Sequence, residues 1–88
     1  IIVDVREKHE VDEGIIKRAE WLALSKVQST KSWEKNFKKL AKDKKVFLYC
    51  RSGKRAEKVR KILSKKGIET KNIGGYENLK RSLPTEVL

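Results

Sequence analysis

Residues 46–55, Val-Phe-Leu-Tyr-Cys-Arg-Ser-Gly-Lys-Arg, constrain this chain more than any other stretch. Four apolar residues of high strand propensity run directly into Cys50. Arg51-Ser52-Gly53 then reads as a turn, and Ala56, Val59, Ile62 and Leu63 recur at helical spacing straight after it. A strand passed through so short a turn into a helix is half of a β-α-β unit. Such units assemble into parallel sheets with helices packed on their faces.

The rest of the chain fits that scheme. Ile1–Val5 is a β-branched run and reads as a buried strand. Residues 7–13, five of seven charged, read as a short exposed helix or turn closed by Gly14. Trp21–Leu24 reads as a second strand and the polar Ser25–Lys31 as a loop. Trp33, Phe37, Leu40 and Ala41 share one face of a helix with Ser32 as its N-cap. Gly67 stops the helix after Gly53 in the C′ position. Ile68–Ile73 reads as the last strand, Gly74-Gly75 as a turn, and Tyr76–Leu83 as a final helical turn before Pro84. The expectation is one α/β domain over residues 1–88, a small parallel β-sheet flanked by helices. Eighty-eight residues leave no room for a second core.

The strand–turn–helix junction also places chemistry. A cysteine there lies under a helix N-terminus, where unpaired N–H groups and the macrodipole favour negative charge. Arg51, Lys54 and Arg55 add three cations within five residues, and Gly53 lets the backbone close into an anion-holding nest. A thiolate is the nucleophilic form of cysteine. The bland alternative is a small buried hydrophobe ending a strand. Cys50 is the only cysteine, which excludes an internal disulfide and a cysteine-rich zinc site.

Tyr49-Cys50-Arg51-Ser52-Gly53-Lys54-Arg55 resembles the active-site loop of the rhodanese family, Y-C-x-x-G-x-R. Three further segments fall in family order. Val3-Asp4-Val5-Arg6 resembles the D-V-R closing the first strand, with Glu10 and Gly14 matching the acidic residue and glycine after it. Gly67-Ile68 resembles the glycine before the last strand, and Asn72-Ile73-Gly74-Gly75-Tyr76 the G-G-[YW] motif beyond it. One segment departs. Where the family reads G-H-I-P-G-A, this chain has Gly14-Ile15-Ile16-Lys17-Arg18-Ala19, without the histidine, the proline or the second glycine. The resemblance implies a sulfurtransferase in which Cys50 carries sulfane sulfur as a persulfide. It implies Arg51, Ser52, Gly53, Lys54 and Arg55 as the anion-binding loop, and neither metal nor cofactor. Partners would be a small anionic donor such as thiosulfate and a thiol or cyanide acceptor, with a protein acceptor left open. The short start is similar to the phage shock protein E type, exported to the bacterial periplasm. The start at Ile1 instead of methionine reads as a chain cut from something upstream, in the cell or in cloning, and leaves the compartment open; the resemblance implies a periplasmic rather than cytoplasmic location.

Related phosphatases and arsenate reductases use C-x5-R, a cradle for a tetrahedral oxyanion. Here residue 56 is alanine, and Arg55 closes a shorter C-x4-R loop suited to a single sulfur atom. The net charge of +11 raises a second rival, a basic binding module in which Cys50 is incidental. Charge is uneven: residues 1–20 hold four basic and six acidic side chains, residues 21–88 nineteen and six. No nucleic-acid recognition motif accompanies it, so no nucleic-acid partner is expected. No membrane span is expected either, and the domain is expected to be a monomer. The lysine runs from Lys38 to Lys45 and from Lys58 to Lys66 read as solvated helix faces, and His9 as a solvated side chain. Trp21 and Trp33 read as core, and Asp4–Arg6 as a structural pair bracing the sheet edge.

Overall fold

The computed structural model describes all of residues 1–88. Four parallel strands form its sheet: β1 (Ile2–Asp4), β3 (Glu20–Trp21), β4 (Phe47–Cys50) and β5 (Lys71–Gly75), in the spatial order β3-β1-β4-β5. Val3 lies opposite Leu48, and Cys50 opposite Gly75. The helices are α1 (Lys8–Val11), α2 (Leu24–Ser29), α3 (Glu34–Ala41), α4 (Lys54–Lys65) and α5 (Tyr76–Leu79). The parallel sheet flanked by helices is the expected architecture.

Alternation along the inner strands divides the sheet into two faces. Val3, Val5, Leu48 and Cys50 join one core with Leu24, Val27, Trp33, Phe37, Val59 and Leu63 from α2, α3 and α4. Asp4 and Tyr49 point the other way, where Tyr49 stacks on Tyr76 at 6.1 Å. α4 ends as its sequence implies. Gly67 (φ +80°) donates to the Ser64 carbonyl and Ile68 to the Leu63 carbonyl, a Schellman motif with Leu63 and Ile68 both in the core.

The structure corrects several expectations. Ser25–Lys31 is mostly helix: Leu24 and Val27, one turn apart, bury against the core and give α2 a single apolar edge. Its start is fastened by Glu7, whose carboxylate accepts from the Ser25 hydroxyl at 2.5 Å. The strand near Trp21 is only the pair Glu20–Trp21, and as the outermost strand it leaves Trp21 43% exposed. Trp33 is core as expected. Ser32 does not cap α3; its hydroxyl faces Thr30, and α3 starts without a side-chain cap. Asp4–Arg6 is a structural pair, but it stands at the end of the inner strand β1, not at a sheet edge.

The last strand begins at Lys71 and runs through Gly74-Gly75, because β5 must reach beside Cys50. A second, antiparallel ladder joins β2 (Ile15–Ile16) to β6 (Thr85–Glu86). Neither strand was expected, since two-residue pairings carry no periodic signal. The departing segment 14–19 forms β2 and then a turn in which Arg18 takes the left-handed conformation (φ +69°), at the position of the family's second glycine.

Candidate functional site

β4 delivers Cys50 to the carboxyl end of the sheet, and the chain turns back over it within three residues to start α4. Gly53 makes that turn in the left-handed region (φ +95°, ψ −13°), which glycine adopts without steric cost. As N-cap of α4 it has no side chain to accept from the exposed N–H groups of the first turn. The sulfur of Cys50 takes that role. It accepts from the Gly53 N–H at 3.0 Å and from the Ala56 N–H, at the N3 position, at 3.4 Å. Cys50 is fully buried, so the thiol sits beneath the loop with two backbone donors aimed at it. An inert core cysteine needs no such donors.

The five residues of the expected loop have different surroundings. Arg51, Ser52 and Lys54 are exposed, and none of their side chains forms an ion pair or hydrogen bond. Arg55 is half-buried and committed: its guanidinium donates to both oxygens of Glu10, at 2.6 and 2.8 Å. Those bonds hold the Glu10 carboxyl down to about 2, against the opposing effect of burial. They likewise raise the pKa of Arg55. Among the loop N–H groups only that of Gly53 reaches the sulfur; the second donor, Ala56, lies one residue beyond the expected loop. Counting N3 from a glycine N-cap at 53 would have found it.

A cleft of about 350 Å³ opens beside Arg51, lined also by Arg6, His9, Glu10, Tyr76 and Lys80. His9 is exposed at its rim. Arg6 is buried behind the cleft. It binds both oxygens of Asp4, donates to the Gly14 carbonyl at 2.6 Å, and lies 4.0 Å from the Tyr76 ring centre. Burial opposes its charge, yet the Asp4 bonds outweigh that and raise its pKa. Burial is also the main reason the Tyr49 hydroxyl is shifted well above its ordinary value. That hydroxyl accepts from the Ile16 N–H at 3.0 Å, tying β4 to β2.

The third wall is the Asn72–Tyr76 segment. A methyl group at Gly75 would stand 2.4 Å from the Arg51 carbonyl oxygen, so only glycine lets β5 lie against the loop. Asn72 donates to the Gly53 carbonyl at 2.8 Å and accepts from the Gly74 N–H at 2.9 Å. Reading the sequence by motif marked the glycines here and Arg6 as a structural partner of Asp4, but gave no separate part to Asn72 or Tyr49. No periodic or charge signal distinguishes an amide that bridges two loops.

The comparisons with known proteins agree with this geometry. The chain is 35% identical over 74 residues to YtwF of Bacillus subtilis, a candidate sulfurtransferase, covering 84% of this chain and 66% of that protein. Over 69 residues it is 33% identical to a tRNA uridine(34) hydroxylase of Staphylococcus carnosus, covering 78% of this chain but only 22% of the relative. The chain thus spans less than two thirds of the length of these curated relatives. Its fold superposes on the solution structure of hp1203 from Helicobacter pylori with a TM-score of 0.79, at 29% identity, covering 99% of this chain and 77% of that one. A model of the rhodanese-like domain matches residues 1–82, from the strand that opens the sheet to the turn after α5. With the cysteine loop, the Glu10–Arg55 pair and the double glycine assembled at one end of a parallel sheet, the chain belongs to the rhodanese family.

Proposed function

We propose that this chain is a sulfurtransferase that carries sulfane sulfur on Cys50 as a persulfide. The convergence of the Gly53 and Ala56 N–H groups on Sγ carries the reading. Two oriented donors at a helix N-terminus stabilise negative charge on sulfur without rearranging during the reaction. The Cys50 thiolate attacks the outer sulfur of a donor such as thiosulfate. A Cys50 S–S bond forms, the donor S–S bond breaks, and its electron pair leaves on sulfite. A thiol or cyanide then attacks the outer sulfur of the persulfide and returns the electron pair to Cys50, a two-step ping-pong transfer. Arg51 and Lys54, exposed and unpaired, attract the anionic donor and offset the charge of the departing sulfite.

The phosphatase and arsenate-reductase readings need an arginine folded over the sulfur to hold a tetrahedral oxyanion. Arg55 is the residue nearest that role, and both oxygens of Glu10 take the Nη1–Nη2 edge of its guanidinium. The family resemblance to the phage shock protein E type supports a bacterial origin and makes thiosulfate the first donor to try.

Intact mass decides the matter. Thiosulfate should add one sulfur, about 32 Da, cyanide should remove it, and Cys50→Ser should show neither change. An unchanged wild-type mass with every sulfane donor overturns the proposal. So does hydrolysis of an aryl phosphate above the Cys50→Ser background.

A further inference from the structure

One side chain spans the gap between the cysteine loop and the double-glycine segment. Gly53 and Gly74 both have left-handed backbones, at φ +95° and +97°. Asn72 sits between them and bonds to each, donating to the Gly53 carbonyl and accepting from the Gly74 N–H. The two partners fix the orientation of the amide, because a carbonyl can only accept and an N–H can only donate. The Gly53 carbonyl also accepts the first helical bond of α4, from the Glu57 N–H at 3.0 Å. The peptide plane that begins at that carbonyl is therefore held from two sides. The Gly53 N–H that reaches Sγ belongs to the same residue, so its direction depends on that hold.

A left-handed glycine has no side chain to restrict it and gains most from such an external brace. The brace comes from β5, the strand whose Gly75 packs against Arg51. Loop and strand are thereby joined at two points, one steric and one polar.

We propose that Asn72 is a positioning residue for sulfur transfer: its amide aims the Gly53 N–H at the Cys50 sulfur by clamping Gly53 to Gly74. The proposal rests on the sulfur-transfer reading of the same site. It accounts for an amide at position 72, where an apolar side chain would serve strand packing alone. Aspartate there would keep the acceptor for Gly74 but set a carboxylate against the Gly53 carbonyl.

The test compares Asn72→Asp with Ile68→Val, a core change at the far end of α4 that loosens packing without touching the loop. Asn72→Asp should lower kcat for thiosulfate by about 10- to 100-fold, below the full loss of an oxyanion donor, while KM stays within about threefold. Ile68→Val should leave both constants within about twofold. The Gly53 amide resonance should shift in Asn72→Asp and stay in place in Ile68→Val. An unchanged kcat in a folded Asn72→Asp protein, or a Gly53 resonance that does not move, overturns the clamp. A wild type that takes up no sulfur defeats the functional reading instead, and the Gly53 resonance then still decides whether Asn72 aims that N–H.

Discussion

Charge is arranged in opposite ways at the two ends of this sheet. At the carboxyl end, beside Cys50, Arg6 is bound to Asp4, Arg55 to Glu10, and Lys80 to Glu77. At the other end Lys38, Lys42 and Lys44 line an open groove with Asp43 and Glu69, and none of the three lysines forms an ion pair. The groove is of similar size to the cleft, about 410 Å³, and it holds more of the chain's excess charge. Lys66 there is held by Glu34, but the three free lysines have no fixed direction. The lysine stems are flexible and their heads are strongly hydrated, whereas Arg6 and Arg55 near Cys50 are held by bidentate geometry and by burial. Placement, not the quantity of charge, distinguishes the Cys50 end of the molecule.

The largest effect should come from breaking placement without changing charge. Gly75→Ala puts a methyl group 2.4 Å from the Arg51 carbonyl oxygen, a backbone atom that can retreat only with its loop. Displacing the loop by about an ångström should cut sulfur transfer by roughly 100-fold. Circular dichroism should show the helices intact. Activity within threefold of wild type would mean the loop tolerates displacement and placement does not govern the site.

Next in size is the pair that orders the loop from the other side. Glu10→Gln removes the charge opposite Arg55 and should cost about 2–3 kcal/mol in a urea titration. Arg55, released, can turn toward bound anions, so phosphate should inhibit the variant more strongly than wild type. The pair also sets an acid limit. Glu10 titrates at about 2 in the folded chain against 4.5 in the ordinary state. A depressed folded pKa contributes stability that is complete above the ordinary value and is lost as pH falls from about 4.5 toward 2. Wild type should therefore lose more stability than Glu10→Gln across that window. Parallel curves would show that the pair adds nothing.

How far the sequence discloses this depends on the range over which each feature is determined. Cys50, Gly53 and the start of α4 were legible because a strand, a turn and an apolar helical face are adjacent in the chain. Trp21 heads an apolar run and Trp33 an apolar helical face, so both read as core, and only strand order decides that Trp21 lies on an exposed edge. Leu24 and Val27 mark α2 with two residues, too few for a period to separate helix from loop. The β2–β6 ladder joins residues about seventy apart, and the Ile16 N–H bond to the Tyr49 hydroxyl spans thirty-three. Asn72 belongs to the same class, since its bond to the Gly53 carbonyl, nineteen residues back, exists only once β5 lies beside the loop. Local chemistry was readable, and the contacts that aim it were not.

Arg18 offers a smaller effect on the fold alone. Its left-handed backbone is strained for any residue with a Cβ, and its side chain is exposed. Arg18→Gly relieves that strain, although it also adds freedom to the unfolded chain. The balance should stabilise the protein by about 0.5–1 kcal/mol, a rise of roughly 2–8 °C in Tm for a domain of this size. A lower Tm would mean that the Arg18 side chain contributes more than its conformation costs.

The smallest effect is expected where charge is most abundant. Replacing Lys38, Lys42 and Lys44 together by Gln removes three positive charges from the groove opposite Cys50. Exposed, unpaired side chains far from the core should change stability by no more than about 0.5 kcal/mol each. The kcat for sulfur transfer should stay within about twofold. What can change is the long-range field. The wild-type rate at low thiosulfate should fall as salt rises, because ions screen the attraction of an anionic donor over about 10 Å at 0.1 M. The groove begins at Val46, four strand residues or about 13 Å before Cys50, so at that ionic strength its lysines act on the cleft from beyond a screening length. The triple variant should keep nearly the wild-type salt dependence, whereas Arg51→Gln, at the cleft itself, should flatten it. A triple variant that loses the salt dependence while Arg51→Gln keeps it would reverse the contrast between the two ends. The dispersed charge would then be guiding the donor, and the ordered charge would serve the fold alone.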